Sequence, residues 1–329
     1  MKRRTVLGAA AALAAGGLGH LPLALGQAAF PSRPVRLVVP FPPGGPTDVF
    51  ARQYAVALGA ALGTPVVVEN KAGASGAIGS VDVMRAAPDG HTLLFGTAST
   101  HALYNLLVAK PQYDALKDFA PVAIVGGAPI VFIASPSLPP TLKEIVAQAR
   151  ANPGKYRYGS PGQGTMMHLA AERLKSESGG ADIGHIPFKG SAQAKTALLG
   201  DQIEPMTDTL GASLADHKAG KLRVVAIAAP KRSEIAPDIP TVDEALGTKG
   251  FEAVLWNVVL APAGTPPATM NALAAATAKA MTDPALLESL ARLGITPQTG
   301  SGPAAAAEYI RAEMGRWKSL VDASGIKLE

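Results

Sequence analysis

Cysteine is absent from the 329-residue chain. That excludes a disulfide framework, and it removes the acceptor for an N-terminal lipid. Aromatic residues make up only 5% of the sequence and charged residues 17%. No basic stripe interleaved with aromatics occurs, which excludes a nucleic-acid partner. The formal charge of +5 includes Lys2, Arg3 and Arg4; without these three the balance falls to about +2. Paired helical spacing of metal ligands is missing too, because His91, His101, His168, His185 and His217 stand apart from one another. A G-x-S-x-G nucleophile turn does not occur, since Gly73-Ala74-Ser75-Gly76 runs into Ala77. The stretch "GSAQAKT" lacks the second glycine that a phosphate-cradling loop needs before Lys195. No cofactor and no metal are expected.

What the chain has is 48% hydrophobic residues, 35 glycines and 28 prolines. This mix suits many short elements joined by tight turns, and the length suits two lobes. The first stretch, "MKRRTVLGAAAALAAGGLGHLPLALGQAA", has a basic start, an apolar run through Leu18 and small residues at Gly26 and Ala28. It reads as an export signal over residues 1–28, removed near Ala28. A membrane anchor is the alternative, but Gly16, Gly17, Gly19, His20 and Pro22 break the run well short of the ~20 apolar residues of a span. Arg3-Arg4 permits the twin-arginine route, and the Sec route stays open. The expected location is the periplasm.

Apolar runs bounded by turn residues predict strands over 35–39, 66–69, 92–95, 130–134, 156–159, 183–187, 222–228 and 254–260. Helical periods predict helices over 47–62, 142–151, 165–178, 192–199, 266–281 and 303–323. The alternation gives an α/β class with parallel-type sheets flanked by helices. Two runs, "PIVFIASP" and "EAVLWNVVLAP", flank a middle block with its own alternation. Read as a two-stranded hinge, they divide the chain into one lobe of 30–128 plus 253–329 and another of 129–252. Read otherwise, they are two ordinary strands of one large sheet.

The loops at strand-to-helix junctions carry the candidate chemistry. In "PFPPGGPTDVFAR", Gly44-Gly45 allows positive φ and close approach of a ligand, Thr47 caps the helix and Asp48 sits in its first turn. Backbone N–H groups at the positive end of the helix dipole then suit an anion without a basic side chain. Taken alone, the loop is equally a tight turn before a well-capped helix. "YGSPGQGTMMH" repeats the pattern before the second lobe's helix. Two facing helix N-termini, one per lobe, would hold the two ends of a dicarboxylate. "NKAGASGAIGS" has G-x-x-G-x-x-G spacing, one residue off the dinucleotide fingerprint, and lacks its acidic partner. With "GTASTH" it is expected to wall the cleft.

At these residues the sequence resembles the extracytoplasmic solute receptors of the tripartite tricarboxylate transporter system, the Bug family. The resemblance runs in order through "PFPPGGPTDVFAR", "VVVENKAGASGAIGS", "APDGHTLLFGTASTHA", "YGSPGQGTMMHLAAERL", "IPFKGSAQA", "GDQIEPMTDTL", "GKLRVVAIAAPKRS" and "RWKSLVDASGIKLE". It implies a two-lobed periplasmic binding protein of the type II, Venus-flytrap kind. It also implies capture of a small carboxylate without turnover and delivery to integral membrane transporter subunits, with a monomer expected. The implied binding set is Phe41, Pro43, Gly44, Gly45, Asp48, Ser75, Thr97, Ser99, Ser160, Gly162, Gly164, Thr165, His168 and Asp208, with Phe41 covering the ligand. Asp208 matches an acidic position of the family cleft, where it meets a ligand hydroxyl or amino group or caps the next helix. Ser75 replaces a frequent glycine, Gln193 a common proline and Thr207 a usual aromatic, and "LWNVVLAP" lacks the usual glycine after Trp256. These departures bear on the identity of the solute. The rival reading is a secreted enzyme acting on a small organic acid, with Asp208, His168 or His101 as acid and base.

Overall fold

The computed structural model describes residues 30–324 and 326–328. The export signal expected over 1–28 lies outside the described residues. The chain begins with β1 (Val35–Val39), α1 (Pro46–Leu62), β2 (Val66–Asn70), α2 (Ala77–Met84), β3 (Thr92–Thr97) and α3 (Tyr104–Leu107). It continues through β4 (Phe119–Ala134), α4 (Leu142–Ala151), β5 (Tyr156–Ser160), α5 (Met166–Glu177), β6 (Ile183–Pro187), α6 (Ser191–Leu199), β7 (Pro205–Thr209) and α7 (Leu210–Lys218). It closes with β8 (Arg223–Ile227), α8 (Val242–Leu246), β9 (Val254–Pro262), α9 (Pro267–Ala280), α10 (Pro284–Arg292), β10 (Thr296–Pro297) and α11 (Pro303–Ser324).

The strand order β2-β1-β3-β9-β4-β7-β5-β6 places two parallel blocks at the outside. In one block β1 pairs in parallel with β2 and β3; in the other β5 pairs in parallel with β6 and β7. The centre is antiparallel, through β3 with β9, β9 with β4 and β4 with β7 and β8. The expected parallel-type sheets are these two outer blocks, and antiparallel pairs join them at the centre, within the α/β class. β4 belongs to both: it pairs with β9 over Phe119–Pro129 and with β7 over Ile130–Ala134. Only its last third was predicted as strand. Pro121 and the Gly126-Gly127 pair interrupt the apolar signal, and the strand passes them at register shifts between Pro121 and Ala123 and between Ile124 and Gly126.

At the crossing, three segments are tied by backbone hydrogen bonds. Ile130 N–H donates to Ala253 C=O (2.9 Å), Ala253 N–H to Ala228 C=O (3.1 Å) and Ala228 N–H to Ile130 C=O (2.8 Å). α11 lies across this region, burying Ala306, Ile310, Trp317 and Val321 in the largest core cluster. That cluster also holds Val38 and Leu94 from the β1–β3 side and Leu142 and Tyr158 from the β5 side.

α1 shows why the first loop is held firmly. Phe50, Tyr54 and Leu58 recur on one face and are wholly buried, each contributing about 1.5–3 kcal/mol. Tyr54 OH also bonds Thr277 Oγ1 at 2.8 Å on α9. Gly63 then ends the helix in the left-handed region (φ 70°), returning its N–H to Gly59 C=O.

Candidate ligand-binding cleft

The β1–α1 loop departs from expectation at its caps. Gly44 alone carries positive φ (79°), while Gly45 is extended at φ −78° and is itself the N-cap, with Pro46 opening the helix. Thr47 is therefore inside α1 and does not cap it; Asp48 is in the first turn as expected. The Asp48 carboxylate is buried and accepts from Gly44 N–H (2.8 Å), Arg52 Nε (3.0 Å) and Asn70 Nδ2 (2.8 Å). Burial alone would raise its pKa, but these donors outweigh burial and hold it below the ordinary carboxylate value. Asn70 Nδ2 also reaches Phe41 C=O at 3.1 Å, so one charge braces the loop from both ends.

The glycines of "NKAGASGAIGS" make room for this loop. A Cβ on Gly76 would stand 2.5 Å from Thr100 Cγ2 and 3.2 Å from Phe41 Cζ, and one on Gly79 would stand 2.9 Å from Pro40 Cα. Close packing accounts for Gly76 and Gly79 at these positions.

On the β5 side, Thr165 caps α5 by accepting from His168 N–H, and its own hydroxyl donates to Gly162 C=O at 2.7 Å. Ser160 Oγ bonds His185 Nε2 at 2.7 Å and Gly162 C=O at 3.1 Å. His168 Nδ1 accepts from Gly164 N–H at 3.0 Å, and its ring stacks on His185 at 4.0 Å. Burial, helped by the charge of Lys175, pushes the His168 pKa down to about 4, so the ring is neutral at pH 7. Gly164, at φ 75°, packs against Leu328, which a Cβ would meet at 2.5 Å.

The loops of the two sides touch. Ser99 Oγ accepts from Met166 N–H at the head of α5 (3.0 Å), Ser75 Oγ donates to Gln163 C=O, and Pro42 lies under Gly190. Between them run two adjoining spaces that share Pro46, Ser191, Ala192 and Leu255 as walls. A slot of about 50 Å³ is lined by Phe41, Pro43, Gly45, Ser99, Thr165 and Gly190, among others. A compartment of about 320 Å³ is lined by Gly44, Val49, Lys195, Asp208, Thr209 and Asn257, among others.

Of the expected binding set, then, Phe41, Pro43, Gly44, Gly45, Ser99, Thr165 and Asp208 line the cleft. Asp48, Ser75, Thr97, Ser160, Gly162, Gly164 and His168 line neither space. Thr97 stands behind the wall, where its Oγ1 accepts from Ser99 N–H at 3.2 Å and steadies that loop, whereas Ser75 reaches across to Gln163 C=O. His101, wholly buried, bonds Thr100 Oγ1 through Nδ1 and is pushed down to about 3 by burial.

Gly190, Ser191, Lys195 and Asn257 also line the cleft and lie outside the expected set. "KGSAQAK" has the Gly-Ser strand-to-helix signal seen in the other loops, and a polar Asn257 inside the apolar run of β9 was a second signal. Four helix starts now face the two spaces: Pro46 and Thr47 of α1, the Thr165 cap of α5, Ser191 of α6, and Thr209 and Gly211 at the head of α7. Their positive dipole ends favour an anion there.

Comparison with known proteins agrees with this architecture. The family described as "Tripartite tricarboxylate transporter family receptor" matches residues 50–326. Protein BugT of Bordetella pertussis is 37% identical over 302 residues, covering 91% of this chain and 92% of its own. The structure of the periplasmic binding protein BugD is 34% identical with a TM-score of 0.86, covering 91% of this chain and all of its own. MatC of Rhodopseudomonas palustris, solved with bound malate, is 33% identical with a TM-score of 0.84, covering 89% of this chain and all of its own. The chain belongs to the tripartite tricarboxylate transporter receptor family and has its two-lobed periplasmic binding protein fold.

Proposed function

We propose that this chain is a periplasmic receptor that captures a small carboxylate between its lobes and delivers it, unchanged, to integral membrane transporter subunits. The observation that carries the reading is the convergence of four helix N-termini on one largely apolar cleft. An anion is held there by backbone dipoles, with no arginine in the walls. The malate bound by MatC, at 33% identity, supports a carboxylate as the solute. The family's description supports a transporter as the partner. The lobes are 30–128 plus 253–329 and 129–252, joined where β4 crosses beside β9. Residues 1–28 direct export and are removed, and the receptor works as a monomer.

An enzyme acting on a small acid would need an acid–base pair at the solute. Asp208 lines the cleft, but His101 and His168 are packed behind it and held neutral by burial. The test is a thermal-shift screen of residues 29–329, unfolded and refolded to strip bound solute, against mono-, di- and tricarboxylates, aromatic acids and amino acids. A saturating shift from a carboxylate that is recovered intact supports the receptor. A flat panel, or consumption of the acid, overturns it.

A further inference from the structure

One contact between the two sides lies outside both spaces of the cleft. Leu328, beyond α11, donates its N–H to Leu107 C=O at the end of α3 (2.9 Å) and pairs in parallel with Val108 as a single bridge. Its backbone is thereby fixed to the β1–β3 side. Its side chain is half-buried, packed on the core cluster that contains Leu107. Against these two leucines lies Gly164 of the β5–α5 loop: a Cβ there would stand 2.5 Å from Leu328 Cδ1 and 3.3 Å from Leu107 Cδ1. The φ of 75° at Gly164 favours glycine as well, so backbone meets apolar side chain directly. The two residues that follow serve the cleft. Thr165 caps α5 and lines the slot, and Met166 N–H reaches Ser99 Oγ at 3.0 Å. Gly164 N–H donates to His168 Nδ1 (3.0 Å), which ties the loop to the head of α5.

We infer that Leu328 is a latch for the closed receptor: an apolar seat, fixed to the lobe of 30–128 plus 253–329, on which Gly164 of the other lobe lands as the cleft closes. The inference rests on the capture reading above. Leu328 lines neither space, so it is a positioning residue that acts through the segment Gly164–Met166 and never touches the solute. A contact made on closure favours the closed state whatever acid is inside. Its loss therefore weakens every solute by the same factor, whereas the loss of a cleft contact depends on the solute. The magnitude follows from the carbon removed. One buried methylene is worth about fourfold in an equilibrium constant, so removing three carbons from a half-buried contact should cost about fivefold to tenfold.

The test is calorimetric titration of stripped 29–329 with malate, succinate and adipate, in the parent and in variants checked for folding by circular dichroism. Leu328→Ala should weaken each acid that the parent binds by a common factor of about fivefold to tenfold. Leu328→Met, which keeps the volume, should stay within about twofold, and Lys327→Ala, at the exposed neighbouring position, should change nothing. Gly164→Ala sets a methyl against Leu328, so its cost in affinity should be about fivefold smaller in the Leu328→Ala background than in the parent. Unchanged affinity in folded Leu328→Ala, a loss that differs from acid to acid, or strictly additive effects of the two substitutions would overturn the latch and leave the capture reading standing. No saturable binding of any of the three acids by the parent would sink the carboxylate reading and the latch with it.

Discussion

Asp208 is the carboxyl group, among the described residues, whose ionisation burial opposes most clearly. Burial pushes its pKa from 3.8 up to about 6, against the lowering pull of Thr209 N–H, Lys195 and Ser191. In the unfolded chain the carboxyl releases its proton near pH 4. Between pH 4 and 6 the folded state therefore keeps a proton that the unfolded state has lost, and stability falls as pH rises through that window. The full penalty, on the order of 3 kcal/mol, stands above pH 6. Asp208→Asn should remove this slope and be the more stable form at pH 7.5, as read from urea midpoints at pH 4.5 and 7.5. An unchanged slope would mean that Asp208 ionises freely. Gly44 makes a separate case. With φ at 79° it should lose about 1 kcal/mol on replacement by alanine, whereas Gly45→Ala, at φ −78° with only Pro42 C=O within 4 Å (3.7 Å), should be neutral in stability. Thermal denaturation of the two variants separates them; equal losses would contradict the backbone geometry.

Among elements, the head of α5 links the two sides of the cleft. Thr165 caps it from its own loop, and Ser99 takes the Met166 N–H from across the cleft. If closure on the solute brings these two loops together, as the proposed function requires, Ser99→Ala leaves that N–H without its acceptor in the closed state. Solute affinity should therefore fall about fivefold, the value of one net hydrogen bond of about 1 kcal/mol, with the unfolding midpoint of the stripped chain unchanged. Unchanged affinity would show that this bond does not report closure. The elements were unevenly legible in the sequence. β1, α1 and the cap of α5 were readable because an apolar run, a helical period and Gly or Thr at the junction agree locally. β7 was not predicted: "PMTDT" has no apolar run, and its strand form is imposed by β4 on one side and β5 on the other. Asp208 was thus named without the strand that carries it. The first two-thirds of β4 was hidden for the opposite reason, since proline and glycine there signal turns that bulges absorb.

In the whole molecule, β4 runs from one sheet block into the other, and the bonds among Ile130, Ala228 and Ala253 fix where it crosses. α11 covers this crossing with Trp317, and its Glu313 accepts from Trp256 Nε1 at 3.0 Å. On the proposed function, this short, well-tied segment is where the lobes would rock as their loops meet at the solute. Which loops face each other was legible from their shared chemistry. That half of the named residues line neither space was not, because burial and partners at these junctions are decided by tertiary contact. The measurement that tests the central claim most directly is calorimetric titration of stripped 29–329 with the acid giving the largest thermal shift, followed by recovery and identification of that acid. Capture between the lobes predicts one saturable site per chain and an acid returned intact. No saturable heat, or an acid chemically changed, would contradict it.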